Sequence, residues 1–149
     1  MPSYDSQIVS TSLKGGALSV LIIAVSFAFV EWVGLPPDFF SIISLVFFLF
    51  VGALEEKWTH ESDSKSPFMD ALVANLITPL WTALGVVLLV IFIHFLQGQI
   101  RDFTDLLDSL GFVTIVTVFW VVGAPVMAAV LFAGGWGYNL IQKYFQKKN

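Results

Sequence analysis

Cysteine is absent from this 149-residue chain, which excludes disulfides, thiolate metal sites and thiol redox chemistry. Charge is scarce as well: seven basic and eleven acidic side chains make up 12% of the residues, for a formal net charge of −4. With so few charges, spread over connecting segments, there is no basic surface for a nucleic acid. The chain also has no GxSxG elbow with a base partner and no glycine-rich phosphate loop. Nothing in these absences leaves a catalytic signature, so a non-enzymatic protein without a resident cofactor is expected.

Apolar sequence fills the space left. Hydrophobic residues are 57% of the chain and the mean hydropathy is +0.85. No Asp, Glu, Lys or Arg interrupts 15–30, 39–54, 71–100 or 109–142. Within the third run, 80–96 makes about 26 Å of helix at 1.5 Å per residue, close to the hydrocarbon thickness of a bilayer. A helix apolar all round has no face to give to water.

These runs predict an all-α integral membrane protein. The expected architecture is a four-transmembrane-helix bundle with short loops and an interfacial C-terminal amphipathic helix. It is a single domain over 1–149, with spans near 17–35, 39–56, 72–97 and 110–133 and a cytoplasmic tail at 138–149. Residues 1–13 read as a short polar leader. Pro36, Pro37 and Asp38 predict a tight turn into the second helix, since proline stops one helix and suits the start of the next. Pro67 is placed to open the third helix, and Pro79 and Pro125 predict kinks in the third and fourth.

The mixed stretch around Ile100, Phe103, Leu106, Leu107 and Leu110, with Asp102, Asp105 and Asp108 opposite, predicts an amphipathic interfacial helix or an outer extension of the fourth span. Gly134, Gly135 and Gly137 predict a loosened chain before the tail. There Leu140, Ile141, Tyr144 and Phe145 share a face beside Lys143, Lys147 and Lys148.

Six of the seven basic residues (Lys14, Lys57, Lys65, Lys143, Lys147 and Lys148) fall on the side of the termini, and only Arg101 falls opposite. By the positive-inside rule both termini are cytoplasmic, in a multi-pass protein of the cell membrane. Helix contacts in lipid concentrate on small and hydrogen-bonding residues. The stripes offered are Ala17, Ala24 and Ala28; Ser41, Ser44 and Gly52; Asn75, Thr78, Thr82 and Gly85; and Thr114, Thr117, Ala124 and Ala128.

Three groups stand out as candidate sites. Glu31 reads as the acid inside a span, an ion or proton relay by default, although its place one turn before Leu35 equally suits an interfacial role. His94, beside Phe92 and Phe95, offers an imidazole for a haem or chlorophyll-type metal, or a neutral interfacial histidine. Phe39, Phe40, Phe47 and Phe50 make an aromatic ridge suited to a partner subunit. Glu55, Glu56, His60, Glu61 and Asp63 open the one hydrophilic segment, read as a solvated loop because metal binding wants more ligands at tighter spacing.

The leading functional expectation is an accessory or structural subunit that packs against a larger membrane complex or against itself, with membrane lipid as its other partner. The alternatives are a small oligomeric channel or transporter using Glu31, and a membrane-disrupting phage or defence effector.

Overall fold

The computed structural model describes residues 4–36, 38–61, 66–98 and 103–146, and in 103–121 the side chains of 104, 105, 108, 111 and 114 alone. Among the positions above, Ile100, Arg101, Asp102, Lys65, Lys147 and Lys148 lie outside the described residues, as do Pro37, Asp63 and the side chains of Phe103, Leu106, Leu107, Leu110 and Thr117. Every described element is helical: α1 (Tyr4–Val33), α2 (Asp38–His60), α3 (Pro67–Leu96) and α4 (Phe103–Gln146). Each contains a stretch long and apolar enough to cross a membrane.

Local chemistry sets the ends. The Gly34 and Leu35 amides both donate to the Val30 carbonyl at 3.0 Å, with Gly34 at φ 71°. That left-handed turn closes a helix cheaply only with glycine. Pro36 then prevents continuation, and Asp38 opens α2 with a carboxylate at its positive end. Pro67 begins α3 as expected, where its missing N–H costs nothing.

The four helices form two parallel pairs. α1 runs beside α3: Thr78 meets Ser12, Trp81 meets Gly16, and Gly85 meets Val20. α2 runs beside α4 in the same manner, with Leu49 against Gly134, Gly52 against Leu131 and Glu56 against Asn139. The pairs join through α1–α2, α3–α4 and α2–α3, whereas α1 and α4 make no contact among the described residues. Ile23, Phe48, Val51, Val86, Met127 and Leu131 build the apolar centre. The remaining large apolar side chains mostly face outward, as lipid allows.

Glycine sets the spacing within each pair. A Cβ on Gly52 would stand 2.6 Å from the Leu131 carbonyl carbon, and one on Gly134 would stand 2.8 Å from that of Leu49. Backbone therefore lies on backbone. Here four expectations are corrected. Gly134, Gly135 and Gly137 do not loosen the chain: α4 continues through them to Gln146, because the first two turn toward α2, where a larger residue would collide. Residues 138–146 are consequently the end of α4, not a separate amphipathic helix.

The polar leader is helical from Tyr4, and its Ile8, Thr11 and Ser12 are buried against the bundle. The contact face of α1 is Ser12, Gly15, Gly16, Ser19 and Ser26, while Ala17 and Ala28 face outward. Elsewhere the stripes fall unevenly. Asn75, Thr78 and Thr82 are buried, as are Ser44, Gly52 and Ala128, but Ser41 and Thr114 are exposed. The stretch entering α4 at Phe103 is an extension of that helix, the second of the two forms expected. Both Pro79 and Pro125 lie within unbroken helical assignments.

Candidate functional site

The buried face of α2 runs Ser44, Phe48, Val51, Gly52, Glu55, Glu56 and Thr59. That is one helical stripe, at steps of three, four and one, and it crosses the boundary between apolar and charged sequence without changing register. Glu55 and Glu56 are thereby carried into the bundle instead of the solvated loop expected for them. They are 0% and 2% exposed. Glu31 lies in the apolar stretch of α1 but is exposed, whereas Glu55 and Glu56 are enclosed.

Glu55 points toward α1 and α3. Its Oε1 accepts a short hydrogen bond from the Thr78 hydroxyl, and the same hydroxyl lies 3.3 Å from the Ser12 carbonyl. Thr78 has one hydrogen for these two acceptors. Glu55 Oε2 is fully buried and has no hydrogen-bond partner among the described residues. No basic side chain pairs with the carboxyl there either. Gly15 is the reason the carboxyl fits: a Cβ at that position would run into Oε1 and stand 3.1 Å from Thr78 Oγ1.

Glu56 faces the other pair. Asn139 of α4 donates to its Oε1 at 2.6 Å, and His60, one turn on and about one-third exposed, brings Nδ1 to 3.4 Å from the same oxygen. His60 also sits edge-on to Tyr138, at 6.2 Å between ring centres. Gly135 leaves room for this carboxyl as Gly15 does for the first: a Cβ there would stand 3.4 Å from Oε2. The two acids differ in kind. Glu56 is bound into a seam that reaches the surface through His60, whereas Glu55 is enclosed and half satisfied.

Among the described residues, no three His, Asp or Glu side chains converge to hold a metal. An oxygen site with a single carboxyl remains, built by three helices: the carboxyl of Glu55, the hydroxyl of Thr78 and the carbonyl of Ser12. The structure brings none of the sequence-level candidates into it. Glu31 is exposed two residues before the end of α1, and His94 is half-buried near the end of α3. Phe39, Phe47 and Phe50 are 45%, 48% and 69% exposed on the outer side of α2. Phe40 departs from that ridge and packs edge-on against Phe27 of α1 at 6.2 Å.

One further feature follows from the missing α1–α4 contact. An apolar groove of about 360 Å³ opens between Ile23 of α1 and Met127 and Val130 of α4, floored by Phe40, Ser44 and Phe48 of α2. The Ser44 hydroxyl in that floor is buried and without a hydrogen-bond partner among the described residues.

The signal for Glu55 and Glu56 was present in the sequence as the unbroken 3.6-residue stripe from Ser44. For Ser12 and Gly15 it was the Ser-Gly-Ser spacing ahead of the apolar run. Compared with known proteins, the chain matches no family model, no curated protein and no solved structure, so any function must be argued from these residues alone.

Proposed function

We propose that this chain is a small four-span membrane protein that moves protons or a small monovalent cation, with Glu55 as the group that is loaded and unloaded. One observation carries this reading: Glu55 is wholly enclosed by α1, α2 and α3, with one carboxyl oxygen bonded and the other free. A charged side chain costs about 2.5–3.5 kcal/mol at the centre of a membrane helix on insertion scales, an upper bound for Glu55, which stands five residues before the end of α2. If the bundle needed only packing at this position, leucine would serve better. If it needed only a partner for Thr78, glutamine would do so without a titratable group. A carboxyl in that place earns its retention by binding something.

The test is Glu55→Gln in the full chain reconstituted into liposomes. The amide keeps the volume and an acceptor for Thr78, so the variant should fold and pass no proton or cation current driven by a pH gradient or a salt gradient. Glu31→Gln should leave both folding and current unchanged. Wild-type flux retained in Glu55→Gln would end the proposal.

The groove favours a second reading, the accessory subunit. A span of another subunit laid between α1 and α4 would bury the groove's apolar walls and offer Ser44 a partner, and the exposed Phe47 and Phe50 would extend the contact. In either reading the proposed orientation has both ends in the cytoplasm and the chain in the cell membrane, supported by the predominance of lysine near the termini.

A further inference from the structure

Resting on the reading of Glu55 as the loaded group, we propose that Glu55, Thr78 and the Ser12 carbonyl bind a dehydrated alkali cation of sodium's class, in exchange for the carboxyl proton. The donor set is all oxygen, the choice of a hard cation. It carries one formal negative charge, which one monovalent ion balances. A divalent ion would call for more carboxylates, and among the described residues no second carboxyl hydrogen-bonds to Glu55.

The hydrogen-bond arithmetic at the site leaves electron pairs to spare. Thr78 supplies one hydrogen to two acceptors, the Glu55 carboxyl and the Ser12 carbonyl 3.3 Å away. Glu55 Oε2 is buried with nothing donating to it among the described residues. With Glu55 ionised, oxygen lone pairs therefore outnumber the one hydrogen that faces them, and a cation takes the place that the carboxyl proton fills in the acid form. Crowding at Gly15, where even a methyl group on α1 would strike the carboxyl, is the basis for expecting an ion smaller than potassium.

The exchange is balanced: the carboxylic acid and a sodium ion give the sodium carboxylate and a released proton. The groups placed against Glu55 from α1 and α3 (Ser12, Gly15 and Thr78) do not titrate. Of the titratable groups at this end of the bundle, Glu56 and His60 turn to α4, Lys57 pairs with Glu61 at 3.7 Å, Lys14 lies 5.9 Å over the Trp58 ring, and Asp70 is buried in the first turn of α3.

The experiment is thermal unfolding of the purified full chain in mild detergent, in sodium, potassium or choline chloride at equal ionic strength, across acid to alkaline pH. Sodium should raise the unfolding midpoint above choline, and potassium should raise it less. One-for-one competition requires about tenfold more sodium for the same shift per pH unit of acidification. Glu55→Gln should abolish the sodium-specific shift and Thr78→Val should weaken it. Should either variant fail to fold, the wild-type comparison of salts and its pH slope still decide. Sodium and choline giving the same midpoint at every pH, or a sodium shift independent of pH, would overturn the inference. If proton flux nevertheless depends on Glu55, the site binds protons alone; if flux is indifferent to Glu55 as well, the functional reading falls with it.

Discussion

At Gly52 of α2 and Gly134 of α4 backbone lies on backbone, and the cost of a substitution there is calculable. A Cβ on Gly52 would stand 2.6 Å from the carbonyl carbon and 2.7 Å from the Cα of Leu131. Ordinary contact begins at 3.4 Å and the Leu131 carbonyl oxygen lies nearer still, so the two helices must part by at least about 0.8 Å, the difference for the carbonyl carbon. A gap of that size forfeits about a quarter to a half of each affected dispersion contact. The obstructing atoms are backbone, so no rotamer change relieves the clash.

Overpacking of this sort costs about 1–3 kcal/mol, and a seam of two main chains belongs at the upper end. Gly52→Ala should therefore lower the folding equilibrium by about 100-fold, as about 3 kcal/mol implies. Unfolding in mixed micelles, followed by tryptophan fluorescence, measures it. Gly137→Ala is the control, because a Cβ there meets nothing within 4 Å. It should be neutral or slightly stabilising. Adding Gly134→Ala to Gly52→Ala should cost less than the two singles together, since the helices have already parted. Equal stability of Gly52→Ala and Gly137→Ala would refute the reasoning.

Two further predictions concern orientation and partners. Single cysteines placed at the exposed Glu61 and Gln146 should be shielded from an impermeant thiol reagent in intact cells, while one at Asp108 should label; the reverse pattern would invert the topology. Phe47→Ala with Phe50→Ala should leave the unfolding midpoint nearly unchanged, since both rings are substantially exposed, yet should release a partner subunit in native mass measurements if the accessory reading holds. A chain that runs alone before and after those changes would defeat that reading.

Much of the architecture was legible because lipid leaves few alternatives. Four charge-free runs and the prolines at 36, 37 and 67 were enough for four helices and the start of α3. The polar face of α3 was legible too: Asn75, Thr78 and Thr82 stand alone among aliphatics, so their spacing is unambiguous. α1 was harder, because serine, glycine and alanine occur on every side of it. Alanine is indifferent to lipid, and the hydroxyls and glycines were the better markers of contact.

Glu55 and Glu56 were hidden by their neighbours, since they begin a hydrophilic stretch that composition assigns to water. Only the register of α2 moves them inward. Gly134 and Gly135 were hidden by an ambiguity of glycine itself, which serves both loose chain and tight packing.

The missing contact between α1 and α4 bears on how the molecule is made. Helices emerge from the ribosome in chain order, so α1 and α2 can pair as a hairpin as soon as both are in the membrane. At that moment Glu55 has only half its enclosure, for Thr78 has not arrived. Glu56 has none of its seam, since Asn139 and the glycines facing α2 lie on the last helix. α4 finds no help from α1 and must dock on α2 and α3. Until it does, an acid and a bare glycine face on α2 stand open to lipid or to whatever else can cover them. Closure of this bundle thus depends on α4, and a nascent chain arrested before residue 139 should leave Glu56 without its Asn139 partner.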